Sequence, residues 1–244
     1  MSGNYAIIVG SGFDAFADTS EVHNVTTRFG EPSAPIRSVV FVGGKVLVLP
    51  RHGDSHELPP HVVNYRANLE ALRKLGADAV IALNTVGVLS GIRQPGEIAV
   101  PDQIIDYTWG RAHTIHDEPQ PGFAHVEFTE PFTASLRAEI LAAAAAASVD
   151  CRDGGVYAAT QGPRLETAAE IDRLERDGAD FVGMTGMPEA ILAAELGLRY
   201  ACLSLVVNKA AGRGDKPIHD DVESSTLAAR TLALQVLRQF FGSR

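Results

Sequence analysis

LSLVVNKAAG, Leu203 to Gly212, runs from an apolar stretch rich in Leu and Val into an amide, Asn208, and then into two alanines and a glycine. A continuous apolar run bounded by small residues reads as a strand buried on both faces, and in an α/β protein such a strand usually belongs to a parallel sheet. Ligands collect at the carboxyl ends of such strands, so the amide stands where a binding group is expected.

Similar apolar, β-branched runs recur along the chain. They predict strands at Tyr5–Val9, Val39–Val42, Lys45–Leu49, Ala79–Leu83, Glu97–Val100, Gly155–Ala159, Asp180–Val182 and Tyr200–Val207. Helical patterns predict helices at His61–Leu75, Thr133–Ala147, Glu166–Asp177, Pro188–Glu195 and Asp220–Phe241. Strand and helix alternate in the later half, so the expected fold is α/β, a single domain over 1–244 with a central mixed β-sheet flanked by helices. No internal repeat or linker interrupts it. The longest irregular stretch, Gly110 to Phe128, carries Pro, Gly and three His residues, and loops of that length are often functional.

With 244 residues, 45% hydrophobic and 21% charged, the chain is long enough for one large core. Its net charge of −9, with Lys and Arg scattered among acids, argues against a nucleic-acid partner, which needs a basic stripe. A small anion remains compatible, because a few donors in a pocket outweigh a screened global charge. Cys151 and Cys202 form neither a metal-ligand spacing nor a disulfide framework and fit a reducing cytoplasm. The expectation is a cytoplasmic protein without signal peptide or membrane span, ILAAAAAASV (Ile140–Val149) being a short Ala-rich helix.

Polar residues gather at the strand ends. VGSGFDA, Val9 to Ala15, can present backbone N–H groups and the Ser11 hydroxyl to an anion. Gly10, Gly12 and Ala15 also fit a dinucleotide fingerprint, but its acid belongs at the end of a second strand, and the nearest one, Glu31, sits in a loop. A plain tight turn is the third reading. In LPRHGDSHELPPH, Leu49 to His61, Arg51 offers a planar fork for oxyanions and His52 a ring that donates from either nitrogen. His56 and His61 follow, with no Asp, Glu or Cys at a recognisable metal-ligand spacing; surface charges are their plain alternative.

ALNTVGVL places Asn84 and Thr85 at a strand end before Gly87, where turn formation explains them equally well. In TQGPRLETAAEI, Glu166 opens a helix whose dipole favours an acid in any case. In VGMTGMPEAIL, Met184 and Thr185 precede a helix opened by Pro188 and Glu189, and Met is more often core than contact.

Together GSG (Gly10–Gly12), RHG (Arg51–Gly53), PPHVVNYRAN (Pro59–Asn68), PGEIAVPDQIIDYT (Pro95–Thr108), GPRLET (Gly162–Thr167) and GMTGMPEA (Gly183–Ala190) span nearly the whole chain in order. They resemble the trimeric branch of the purine nucleoside phosphorylase family, above all its methylthioadenosine and methylthioinosine phosphorylase members. Such enzymes split a purine nucleoside with inorganic phosphate into free base and ribose 1-phosphate.

The resemblance implies that Ser11, Arg51, His52, Asn84, Thr85 and Thr185 hold phosphate, and that Met184, Leu165 and Gly87 line the ribose and base. It implies that Glu166 and Asn208 are the catalytic pair facing the purine. Negative charge accumulates on the base as the carbon–nitrogen bond breaks, and an amide donor at its imidazole nitrogen helps it leave. Adenine-type members carry an acid at the position of Asn208 and another two residues on, where this chain has Ala210. The 6-oxopurine members pair an Asn with a Glu that accepts from purine N1–H. Adenine has no N1–H and would leave that Glu unpaired, at a cost of roughly 1–3 kcal/mol. Hypoxanthine or guanine is therefore favoured.

The resemblance further implies a homotrimer in which His125 reaches the 5′ pocket of a neighbouring subunit, with phosphate as co-substrate and no metal or organic cofactor. His219 stands where inosine/guanosine phosphorylases carry a His toward the 5′-hydroxyl, across a loop of different length. The body of the chain is more similar to the methylthio branch, so the first choice is S-methyl-5′-thioinosine, yielding hypoxanthine and 5-methylthioribose 1-phosphate. S-methyl-5′-thioadenosine and inosine or guanosine are the alternatives. The chain departs from the family at VGSG, where many members have Gly-Gly-Thr-Gly, and at the bulkier NTVGVL. A non-catalytic purine-binding protein would not need Ser11, Arg51, His52 and Thr185 together. A nucleoside hydrolase would need an Asp-rich calcium cluster, where this chain has only Asp14 and Asp18 near its start.

Overall fold

The sheet is organised around β5 (Ala79–Val88), ten residues of which nine are buried. The computed structural model describes residues 4–10, 19–41, 44–119, 121–215, 218 and 222–242. One edge of β5 pairs in parallel with β11 (Arg199–Lys209), from Arg199 opposite Ala79 to Lys209 opposite Val88. The other edge pairs in parallel with β1 (Tyr5–Val9) over Ala79–Ala82, and then antiparallel with β10 (Phe181–Gly183) at Gly87 and Val88. The carboxyl ends of β1 and β10 therefore approach the middle of β5 from opposite directions and leave a gap above Asn84–Val86.

Parallel pairing extends this arrangement outward. β1 lies beside β4 (Gly44–Pro50), and β10 beside β9 (Val156–Ala159), which pairs with β7 (Gln103–Asp106). β3 (Ile36–Phe41) and β2 (Thr19–His23) add antiparallel edges beyond β4, while β6 (Ile98–Val100) and β8 (Cys151–Asp153) continue from β11. The sheet is thus mixed, as the alternation of runs predicted. β2 is an edge strand and does not lie beside β1, so the β1–helix–β2 unit of a dinucleotide site is not formed. Glu31 is an exposed loop residue accepting from the Thr26 hydroxyl at 2.8 Å.

Alternation along the strands builds two cores. Ala6 and Ile8 of β1 join Val80, Ala82, Tyr200 and Cys202 on one face, against Leu69 and Leu72 of α1 (Tyr65–Lys74) and Ala190 and Leu192 of α4 (Gly186–Glu195). Tyr5, Ile7 and Val9 join Ile81, Leu83, Leu203 and Leu205 on the other, against Leu136 and Ile140 of α2 (Ala134–Ala146) and Val236, Leu237 and Phe240 of α5 (Val222–Gly242). α3 (Ala168–Arg176) closes a smaller cluster through Ile171 and Leu174.

The expected helices all form, and the expected strands differ mainly at their ends. The strand predicted to stop at Leu83 runs on to Val88, so Asn84 and Thr85 are strand residues and not a strand end. Its continuation through the β-branched Thr85, Val86 and Val88 is held by pairing with both β11 and β10. β2, β7 and β8 are short, three to five residues, and none carries an apolar run longer than the two isoleucines of β7 to announce it. Residue 42 of the predicted second strand and residues 220 and 221 of the last predicted helix lie outside the described residues. Met187 keeps an extended backbone (φ −119°, ψ 141°), so the regular turns of α4 begin at Pro188, as expected. No described helix is long and apolar enough to cross a membrane.

Candidate active site

A cavity of about 450 Å³ lies over the middle of β5, where the strand ends converge. Its walls include Arg51, His52, Asn84, Thr85, Gly87, Leu165, Glu166, Met184, Thr185 and Asn208, which the sequence reading had assigned to phosphate, sugar and base. Its volume is within the usual range for small-molecule sites. His125 is not on these walls; it is an exposed loop residue whose ring meets Phe123 at 5.2 Å. Ser11 and His219, like Asp14 and Asp18, lie outside the described residues.

The floor beneath β1 and β4 is a buried polar network. Arg51, 1% exposed, donates from Nε and Nη2 to the two carboxylate oxygens of Glu189 at 2.7 and 2.8 Å, and from Nη1 to the Leu83 carbonyl at 2.8 Å. Burial works against the charged guanidinium, and the Glu189 carboxylate more than offsets this, holding Arg51 above its ordinary range. Among the described residues three of its five N–H groups are used. Gly10 makes room above it, since a Cβ there would stand 3.0 Å from Arg51 Nη1 and from the Leu83 carbonyl. Glu189 also accepts from Tyr200 Oη at 2.8 Å, and Asn84 is fixed by Ser204 Oγ at 2.8 Å and by the Cys202 thiol at 3.4 Å.

His52 differs from the sequence reading of a ring free to donate from either nitrogen. Nδ1 lies 2.7 Å from the Leu58 carbonyl, which can only accept, so Nδ1 carries the proton and the neutral ring keeps a lone pair on Nε2. Burial, then Arg51, push its pKa from 6.5 down to about 4. Between those values the unfolded chain binds a proton that the folded chain refuses, so stability is lost as pH falls through this window. Urea unfolding at pH 7.5 and 4.5 should show a loss larger by up to roughly 3 kcal/mol in the unchanged protein than in His52→Gln.

The opposite wall is set by β9, β10 and the turn after β9. Thr160 Oγ1 donates to Glu166 Oε1 at 2.7 Å. Glu166 stands one residue before the cap of α3, whose capping box is built by Thr167 and Glu170. At the end of β11, a register shift between Val206 and Asn208 precedes the amide, whose Nδ2 donates to the Lys209 carbonyl at 2.7 Å. Gly87 leaves space for it, a Cβ there falling 2.9 Å from Asn208 Nδ2. His56 lines the cavity, its ring 4.7 Å from that of His52.

Arg111 ties these walls together. It leaves the long irregular stretch and is buried, donating to the carbonyls of Met184 (2.8 Å), Met187 (2.7 Å) and Gln161 (2.7 Å). The same stretch is pinned to α4 where Thr114 Oγ1 and the Ile115 amide donate to Glu195 at 2.8 and 2.7 Å. Sequence reading missed Arg111, Thr160, Glu189 and Tyr200. Glu189 stood in a quoted motif but looked like ordinary helix-start charge, and the only signal for Arg111 was a single cation inside a suspicious loop. Among the described residues no three His, Cys, Asp or Glu side chains are grouped to hold a metal ion.

Comparison with known proteins gives the same picture from another side. The chain is 52% identical over 212 residues to a protein of Xanthomonas campestris pv. campestris named probable S-methyl-5′-thioinosine phosphorylase, covering 86% of this chain and 85% of that one. It is 42% identical over 226 residues to the 6-oxopurine nucleoside phosphorylase of Pyrococcus furiosus, covering 89% and 84%. Its fold superposes with a TM-score of 0.90 on methylthioadenosine phosphorylase from Schistosoma mansoni in complex with adenine, at 33% identity, covering 98% of this chain and 91% of that one. The model of the phosphorylase superfamily matches residues 4–242, and with these relatives it shows that the chain belongs to that superfamily.

Proposed function

We propose that this enzyme cleaves a purine nucleoside with inorganic phosphate, and that its substrate is S-methyl-5′-thioinosine, released as hypoxanthine and 5-methylthioribose 1-phosphate. The observation that carries the reading is one cavity lined by two unlike sets of side chains. Arg51, His52, Asn84, Thr85 and Thr185 offer donors and a lone pair, and Glu166 and Asn208 offer an acceptor and a donor, with Met184 among them. In this reading phosphate is held by the first set together with Ser11 and attacks the anomeric carbon while the base leaves toward the second.

The purine is assigned by donor and acceptor matching. Glu166 accepts from N1–H, which a 6-oxopurine has and adenine lacks, and Asn208 donates to N7 as charge builds there. The fold is shared with a protein solved with adenine, so the base choice rests on Glu166, Asn208 and Ala210 and not on architecture. The methylthio group is supported by the name of the relative at 52% identity. A homotrimer with His125 crossing to a neighbour's 5′ pocket fits the position of His125 on an exposed loop beside Phe123. The mostly buried thiols of Cys151 and Cys202, both free, fit a reducing cytoplasm. Phosphate is read as co-substrate, with no metal or organic cofactor.

Purine release from methylthioinosine, methylthioadenosine, inosine and adenosine, each with and without phosphate, tests this. The expected result is phosphate-dependent release from the 6-oxo pair, fastest from methylthioinosine. Preference for methylthioadenosine overturns the base assignment, and release without phosphate overturns the phosphorolysis.

A further inference from the structure

Glu166 can read N1–H only if one oxygen is presented to the base as an acceptor. Its carboxylate is reached by a single described hydrogen bond, from Thr160 Oγ1 to Oε1 at 2.7 Å. The same hydroxyl lies 3.3 Å from the Gly183 carbonyl, but it has one proton, and that carbonyl already accepts from the Thr160 amide at 2.8 Å. The shorter contact to a charged oxygen is therefore the one made. Thr160 itself cannot drift. It follows β9 directly, and Arg111 Nη2 donates to its carbonyl at 3.3 Å and to that of Gln161 at 2.7 Å.

We propose that Thr160 is the positioning residue for base recognition: its hydroxyl holds Oε1, leaves Oε2 as the carboxylate oxygen with no described partner to accept from the base, and so sets the preference for purines carrying N1–H. This rests on the reading of Glu166 given above. A 6-aminopurine offers a lone pair at N1 and needs a donor there. A carboxylate tethered by a donated hydroxyl is fixed in the wrong sense for it, whereas an untethered one is free to rotate away from the mismatch. The tether thus acts on the ratio of two substrates and not on turnover alone.

The test measures kcat/KM for methylthioinosine and methylthioadenosine in the unchanged enzyme, Thr160→Val, Thr160→Ser and both the Glu166→Ala and Thr160→Val/Glu166→Ala variants. Valine keeps the shape and removes the hydroxyl, and a hydrogen bond to a charged group corresponds to about a ten- to hundredfold effect. The expected result is a fall of about tenfold or more in the 6-oxo to 6-amino ratio for Thr160→Val, with the ratio kept in Thr160→Ser. In the Glu166→Ala background Thr160→Val should leave the ratio unmoved, because the group it acts through is gone. Equal losses on both substrates in Thr160→Val mean a merely structural role and overturn the proposal. So does a ratio shift that persists without Glu166. An unchanged enzyme that prefers methylthioadenosine overturns the base reading itself, a failure visible before any variant is made.

Discussion

Glu189→Ala is expected to unfold with about 3–5 kcal/mol less stability than the unchanged protein, read from urea denaturation. Glu189 is completely buried, and its carboxylate neutralises the guanidinium of Arg51 through two hydrogen bonds. Removing it strands a buried cation and leaves Tyr200 Oη without its 2.8 Å acceptor. Such a loss does not show that the pair was put there for stability, because replacing a whole buried ionic group by apolar residues is often neutral. The triple variant Arg51→Met, Glu189→Leu, Tyr200→Phe separates the two roles. It should lie within about 2 kcal/mol of the unchanged protein and release no purine in response to phosphate. A triple variant that is stable and still phosphate-dependent would remove Arg51 from the phosphate wall.

That division between fold and site also explains what the sequence disclosed. The strands carrying the fold are apolar on both faces, so β1, β4 and β11 announce themselves by composition. β8 is three residues, Cys151 to Asp153, two of them exposed, and leaves no such trace. The side chains proposed to face the ligand were legible because they are polar residues inside or just after apolar runs, Asn84 and Thr85 within β5 and Asn208 near the end of β11. Glu189, Tyr200 and Arg111 were not, because their partners lie 138, 11 and about 50–76 positions away in the chain and only the closed sheet brings them together. Thr160 was inside a quoted motif, yet its function depends on where Glu166 turns back after Gly162 and Pro163, which no local pattern states.

Asn208→Ala is expected to lower kcat/KM for the 6-oxopurine nucleoside by about 10²–10³, the usual cost of one donor aimed at developing charge. Its effect on unfolding should stay within about 0.5 kcal/mol. The amide lies at the second-to-last residue of β11, partly exposed, and its only described hydrogen bond is to the neighbouring Lys209 carbonyl at 2.7 Å. That bond uses one of its two N–H groups, so the second N–H is left for N7 in the proposed reading. Asn208→Asp would set a carboxylate against the Lys209 carbonyl, so it should be at least as impaired as alanine on 6-oxo substrates. The losses should appear in kcat more than in KM, because the charge at N7 exists mainly in the transition state. A loss confined to KM would mean that Asn208 binds the ground-state base only. An unchanged kcat/KM would leave departure of the purine without a donor from β11.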